Sequence, residues 1–257
     1  MTIKLNAKLK RLFLFLSTIA LGASVVPIAS SADGSGNMQR IGDFSIDIAE
    51  VTIGQFARFV TATGFLTKAE RAGGGLVYAA GWMQKAGWTW RAPYGRPGQE
   101  DEPAVHVTFD EAQAYCRWTG KRLPSEHEWL EAAYTERRTA PPSPFSRGRT
   151  YPYPTGDRPE GANCLGDCGQ TPAIDYSAVL ERGRGHAKAH TTRPGVNGLN
   201  DMGANVWEWV ETNDQDQKGT RGGSWWYGAA QMQADYDASK PRDMTVVYIG
   251  FRCVRDL

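Results

Sequence analysis

Three stretches of the chain repeat apolar residues with the spacing of an amphipathic helix. The stretch 52–62 places its apolar side chains on one face, and Thr52 can cap its start. Two further stretches, 108–119 and 125–134, each open with a hydroxyl residue followed three positions later by glutamate, the pattern of a capping box. The pattern therefore predicts three helices, of which the second ends at Gly120.

The rest of the chain has little regular periodicity. Its 257 residues include 29 Gly, 14 Pro and 9 Trp, and the Pro- and Ser-containing stretch 139–149 is typical of a surface loop. Short pieces separated by Gly and Pro follow this loop. We therefore expect a single irregular α+β domain with low regular secondary structure, whose core is built from aromatic side chains and loops.

The first 31 residues have the pattern of a secretory signal peptide. Four basic residues precede an apolar run over 12–29, and small residues follow at 29–32. We expect cleavage after Ser31, with Ala32 as the other option, and the alternative is a membrane anchor that stays in place. No cysteine follows the run, and no later segment is apolar enough to span a membrane. The sequence thus predicts an exported protein, periplasmic or secreted, with no stable membrane anchor after cleavage.

Charge bears on whether the protein binds nucleic acid, and cysteine content bears on whether it contains disulfides. Removing residues 1–31 leaves 25 Lys and Arg against 28 Asp and Glu, so no basic excess points to nucleic acid. In an oxidising compartment, four cysteines fit two disulfides. Cys164 and Cys168 lie four apart in a Gly-rich loop and could pair locally or serve as a working dithiol. Cys116 and Cys253 would then form a long-range clamp.

A set of short blocks stands in a fixed order over residues 40–257. The blocks are Glu50-Val-Thr52, Pro103-Ala-Val-His-Val-Thr108, Ala114-Tyr-Cys-Arg-Trp-Thr-Gly-Lys-Arg-Leu-Pro-Ser-Glu-His-Glu-Trp129, Gly198-Leu-Asn-Asp-Met-Gly-Ala-Asn-Val-Trp-Glu-Trp209, Arg221-Gly-Gly-Ser-Trp225 and Gly250-Phe-Arg-Cys253. In this order they resemble the formylglycine-generating enzyme (sulfatase-modifying factor) family. The resemblance implies one domain with a C-type-lectin-like core. Relatives of that fold include sulfoxide synthases, a pyoverdine-maturation protein and variable ligand-binding proteins.

The resemblance also implies a disulfide and structural calcium. It pairs Cys116 with Cys253. It implies one calcium site with carboxylates from Asp201 and Glu208 and backbone carbonyls from Ala204 and Val206, all hard oxygen ligands. The alternative is that the two acids are turn and surface residues. A second implied site uses Asn163 and the carbonyl of Cys164, with Asp175 as a guess.

The family's reaction depends on two thiolates that hold copper downstream of Gly-Gly-Ser, and this chain has neither. Alignment from Ser224 places Tyr227 and Met232 at those positions. A phenol and a thioether cannot recreate a two-thiolate site, so we do not expect formylglycine formation by that route. Copper or iron remains an option without a clear ligand set. His186 and His190 could share a metal on a helix, but their Gly-rich surroundings favour a solvated basic loop.

What remains is an expected aromatic pocket that suits a peptide, protein or small-molecule partner. Two functions from different classes follow. The first is an oxidative maturation enzyme acting on a peptide or peptide-like substrate. The second is a non-catalytic protein that binds a ligand or partner on the same fold. We expect a monomer in either case. The candidate pocket residues are Trp207, Ser224, Trp225, Trp226, Tyr227, Met232 and Tyr236.

Overall fold

A computed structural model describes residues 37–257, so the predicted signal peptide, residues 1–31, lies outside the described residues. Four α-helices lie in this part. They are α1 (Ile53–Thr63), α2 (Lys68–Arg71), α3 (Phe109–Trp118) and α4 (Glu126–Tyr134).

The three predicted helices are confirmed, with their caps. Thr52, Thr108 and Ser125 each accept a hydrogen bond from the backbone N–H three residues on, and the side chain at that position returns to the cap. This exchange satisfies two of the N–H groups that a helix start leaves without a partner. The pattern missed the one-turn helix α2, which begins with the same device at Thr67 and Glu70.

Nine short strands form three sheets in the described part. The strands are β1 (Met38–Ile41), β2 (Phe44–Asp47), β3 (Leu76–Tyr78), β4 (Trp82–Gln84), β5 (Trp207–Val210), β6 (Gln217–Arg221), β7 (Ser239–Pro241), β8 (Ile249–Gly250) and β9 (Val254–Asp256). β1, β2 and β9 make an antiparallel sheet that joins the N-terminal hairpin to the C-terminus. β3 and β4 form a separate hairpin, and the third sheet has the order β7-β6-β5-β8.

Aromatic side chains fill the main core, as the composition predicts. Phe56 on α1 is fully buried and contacts Trp90, Tyr115 and Phe251 at ring-centroid distances of 5.1 to 6.3 Å. Edge-to-face and offset contacts of this kind stabilise a core beyond simple area burial. The elements are few and short and the loops long, so the α+β prediction is confirmed.

Both predicted disulfides are present. Cys116 on α3 pairs with Cys253, which lies directly before β9, across a sequence separation of 137 residues. Cys164 pairs with Cys168 within one loop. Within residues 37–257, no helix combines the length and apolar character that a membrane crossing needs.

Candidate functional site

The segment after β6 is fixed against the loop before β5 by glycines and backbone hydrogen bonds. Gly222 has φ +94°, and a Cβ there would lie 2.6 Å from the carbonyl oxygen of Met202, so only glycine fits. The Trp225 N–H donates to the Asn205 carbonyl at 2.9 Å. Ser224 is fully buried beside this contact. The Gly-Gly-Ser-Trp block therefore positions the residues that follow it.

Those following residues form one wall of an open cavity of about 430 Å³, which we name the aromatic recess. Tyr248 packs against Trp226 at 5.8 Å and against Tyr227 at 6.0 Å between ring centroids. Opposite them, the β3–β4 hairpin presents Tyr78 and Trp82, whose side chains are exposed. The complete lining is Tyr78, Ala79, Trp82, Glu181, Arg182, Trp226, Tyr227 and Tyr248.

The predicted pocket residues divide into two groups. Trp226 and Tyr227 line the aromatic recess. Trp207 lies behind it, with its ring centroid 5.8 Å from that of Tyr227, and is almost fully buried. Ser224 and Met232 are fully buried and outside the lining. The sequence did not indicate the other six lining residues. The aromatic ones among them, Tyr78, Trp82 and Tyr248, come from the β3–β4 hairpin and from the segment directly before β8.

The two positions that hold thiolates in the family do not face one another as a metal pair. Tyr227 borders the aromatic recess, and burial raises its pKa, so the phenol stays protonated. Met232 packs instead against the Cys164–Cys168 loop, with its Sδ 3.7 Å from the Cys168 Sγ. A protonated phenol, and a thioether that contacts Cys168 instead, do not fit the family's two-thiolate copper centre.

A second cavity of about 430 Å³, the loop cavity, is lined in part by Trp225, the residue before Trp226 of the aromatic recess. Its walls are the 163–171 loop, the 183–185 segment and Trp225 itself. Asn163 and Cys164, both proposed from the resemblance as calcium ligands, border this cavity. Asp175 is absent from its lining, is exposed and pairs with Ser177 and Arg184.

The first predicted calcium loop is buried, contrary to the alternative of turn and surface acids. Both Glu208 oxygens accept from Arg252 at 2.7 Å, and the Trp129 indole adds a third bond. Asp201 accepts from Thr192 and from a backbone N–H. Ala204 has φ +57°, and Val206 is fully buried beside it. The sequence therefore folds this loop around its carboxylates.

The charge of this loop supports a cation. Glu50 is a third acid at this loop. Its carboxylate accepts hydrogen bonds from the Asn205 amide and the Val206 N–H, and neither of these donors is charged. Burial, then the charges of Asp201 and Glu208, raises the pKa of Glu50 well above its ordinary value. Arg252 is the one buried cation facing these three acids in the described contacts. Hard carboxylates in excess of positive charge fit a calcium ion.

A buried network that the sequence did not indicate lies beside the loop cavity. The His186 Nε2 is 2.7 Å from Glu102, and its Nδ1 is 3.0 Å from the Tyr94 hydroxyl. The Tyr176 hydroxyl donates to the same Glu102 oxygen. His186 is fully buried, so the prediction of a solvated loop is wrong for it, while His190 is exposed as predicted.

The protonation of this network follows from its geometry. Burial lowers the pKa of His186, against the effect of Glu102, so the imidazole is neutral. Burial opposes ionisation of Glu102, but hydrogen bonds, first from His186, lower its pKa. Nε2–H therefore donates to a carboxylate, and Nδ1 accepts from Tyr94. Because both ring nitrogens are engaged, His186 is not available to share a metal with His190.

Comparison with known proteins agrees with this fold. Residues 20–257 match the family described as the Sulfatase-modifying factor enzyme 1-like domain. The chain is 32% identical over 261 residues to the Formylglycine-generating enzyme of Streptomyces coelicolor, covering 84% of this chain and 79% of that protein. It is 31% identical over 256 residues to the Inactive C-alpha-formylglycine-generating enzyme 2 of Bos taurus, covering 86% and 80%.

A solved structure shows the same architecture. PvdO from Pseudomonas aeruginosa superposes with a TM-score of 0.56 at 19% identity, covering 83% of this chain and 80% of that one. The fold and site thus define an α+β protein with a C-type-lectin-like core. The chain belongs to the formylglycine-generating enzyme (sulfatase-modifying factor) family. Tyr227 and Met232 stand where the sequence analysis expects the family's two thiolates.

Proposed function

We propose that this protein is an exported oxidative enzyme that acts on a peptide or peptide-like substrate held in the aromatic recess. The aromatic recess carries the proposal, because five aromatic side chains from separate segments converge on one open cavity. Such a wall binds apolar and aromatic groups. Glu181 and Arg182 at its edge can pair with charges on a peptide backbone or side chain.

Two further observations support this function. The chain matches an enzyme family over most of its length, and its relatives include a Formylglycine-generating enzyme with 32% identity. The Cys116–Cys253 disulfide fits an oxidising compartment, in keeping with the predicted export. The reaction would not use the family's thiolate positions, because Tyr227 and Met232 occupy them.

The second candidate is a binding protein without turnover. The same substitutions favour it, as does 31% identity to a relative named inactive. In this case the aromatic recess would hold a ligand or partner, and the buried calcium loop would serve the fold alone. The two candidates make opposite predictions for oxygen consumption in the presence of a bound peptide.

The deciding experiment uses mature protein purified from the exported fraction. A defined mixture of synthetic peptides is added, with oxygen uptake followed by electrode and peptide masses by mass spectrometry. The enzyme hypothesis predicts oxygen uptake and a mass change that both fall in Trp226→Ala but not in Trp118→Ala, a partly exposed aromatic on α3. Quenching of tryptophan fluorescence without oxygen uptake would favour the binding protein. If neither oxygen uptake nor fluorescence quenching is observed, both hypotheses are rejected.

A further inference from the structure

Three sulfur atoms and a carboxylate meet where the Cys164–Cys168 loop contacts the segment after Gly-Gly-Ser. The Cys168 Sγ lies 3.7 Å from the Met232 Sδ. The Cys164 Sγ lies 3.2 Å from an Asp167 oxygen. The ligand atoms of Cys164, Asp167 and Cys168 all lie within 4.8 Å of one another. We name this set of four residues the sulfur cluster.

Contacts other than the disulfide hold the two segments together. The Leu165 N–H donates to the Tyr227 carbonyl at 2.8 Å. The Ala229 N–H donates to Asp167 at 2.9 Å, which fixes the carboxylate at the start of the turn that carries Met232. The sulfur atoms would therefore stay together if the disulfide opened, since the loop remains tied at two other points.

Burial and access at the sulfur cluster suit a metal ion. Met232 and Cys168 are buried, so a bound ion would be shielded from water on that side. Cys164 borders the loop cavity, which gives an entry path.

We propose that the sulfur cluster is a redox-gated binding site for a soft monovalent ion, Cu(I), with Cys164, Cys168 and Met232 as ligands. A dithiol reductant supplies two electrons and two protons, which break the S–S bond and give two thiols. Cu(I) then displaces both protons and binds two thiolates and the thioether. Two thiolates and a thioether are soft donors, which select Cu(I) over harder ions.

This site deepens the proposed oxidative function, on which its biological meaning rests, but its existence can be tested without substrate. It differs from the family's centre because both of its thiolates come from the 164–168 loop, while Met232, at the second expected thiolate position, supplies only the thioether. Trp225 lines the loop cavity and the adjacent Trp226 lines the aromatic recess, so the two cavities border neighbouring residues of one segment.

The test begins with anaerobic reduction of the purified full-length mature protein by dithiothreitol, followed by desalting and a thiol count. Two thiols are expected, because Cys116 and Cys253 are fully buried while Cys164 is 8% exposed and borders the loop cavity. Cu(I) is then titrated against the chromogenic chelator bicinchoninate. We expect one Cu(I) per reduced chain and none per oxidised chain.

Matched variants separate this site from a purely structural disulfide. Cys168→Ser should abolish uptake, and Met232→Leu should weaken it by about ten- to a hundredfold. Met202→Leu, a buried methionine in a different core cluster, should change nothing. X-ray absorption should show three sulfur neighbours around copper in the parent and two in Met232→Leu, a change that a structural role would not produce.

Three results would overturn the proposal. They are no uptake after reduction, uptake that survives in Cys168→Ser, and preferential binding of Zn(II) when both metals are offered. If Cys168→Ser does not fold, Met232→Leu still decides the outcome through its affinity and its absorption spectrum. Cu(I) binding without oxygen uptake in the peptide assay would confirm the site and reject the enzyme, so the two hypotheses fail separately.

Discussion

At the scale of single residues, the buried Glu102–His186–Tyr94 network should make stability depend on pH. Burial lowers the pKa of His186 from 6.5, so below pH 6.5 the unfolded chain takes up a proton that the folded chain does not. Glu102 acts in the same direction below pH 4.5, because its pKa is also lowered on folding. The free energy of unfolding should therefore fall with acid, by at most about 1.4 kcal/mol per pH unit from each group.

The matched variants for this prediction are His186→Gln and His127→Gln. His186→Gln should make the plot of unfolding free energy against pH less steep between about pH 6.5 and 5, measured by urea titration at several pH values. His127 is exposed on α4, so its replacement should leave the slope unchanged. A slope that is the same in His186→Gln and in the parent would contradict the neutral, buried imidazole.

At the scale of elements, the loop before β5 should bind calcium and be stabilised by it. Asp201, Glu208 and Glu50 are buried against Arg252, and a divalent cation would offset the remaining negative charge. Calcium at about a hundredfold excess over its dissociation constant should stabilise the fold by about 2.7 kcal/mol. The measurement is the melting temperature of chelator-treated protein with calcium or with magnesium, which suits such a flexible oxygen site less well.

A variant pair tests where the calcium binds. Glu208→Gln should lose the calcium-induced rise in melting temperature, although it also lowers the starting value by disturbing Arg252. Asp216→Asn, an exposed acid between β5 and β6, should keep the rise. An undiminished response in Glu208→Gln would place the calcium elsewhere, with the Asn163 region as the next candidate.

The elements also show which parts of the fold could be predicted from the sequence. The capped helices could, because Thr108 with Glu111 and Ser125 with Glu128 are local signals whose partners lie three residues apart. The network around His186 could not, because its partner Glu102 lies 84 residues away and the Gly-rich surroundings indicated solvent.

The candidate site also has residues that could be predicted from the sequence and residues that could not. Trp226 and Tyr227 could be proposed from their place after Gly-Gly-Ser, whereas the opposite wall of the aromatic recess comes from the β3–β4 hairpin. The contact of Met232 with Cys168 spans 64 residues and has no local sequence signal. Spacing along the chain shows which residues a loop offers, but packing between distant loops decides which of them meet.

At the scale of the whole molecule, the two disulfides should contribute very unequally to stability. Cys116–Cys253 spans 137 residues and ties α3 to the C-terminal strand, whereas Cys164–Cys168 spans four. In the chain-entropy treatment, closing the long loop stabilises by about 5 kcal/mol and closing the short loop by about 2 kcal/mol. Urea unfolding of the two double Cys→Ala variants, compared with the parent in non-reducing buffer, measures both losses.

The smaller loss of stability expected on removing Cys164–Cys168 bears directly on the proposed Cu(I) site. A disulfide that opens and closes during function must leave the fold intact when it is open, and a short loop tied by Leu165 and Asp167 meets this condition. Cys164→Ala with Cys168→Ala should therefore remain folded, with the near-ultraviolet circular dichroism of the parent. Cys116→Ala with Cys253→Ala should unfold at a much lower urea concentration. Equal losses, or a larger loss from the short loop, would make the Cys164–Cys168 pair a structural bond and remove the physical basis for a redox-gated site.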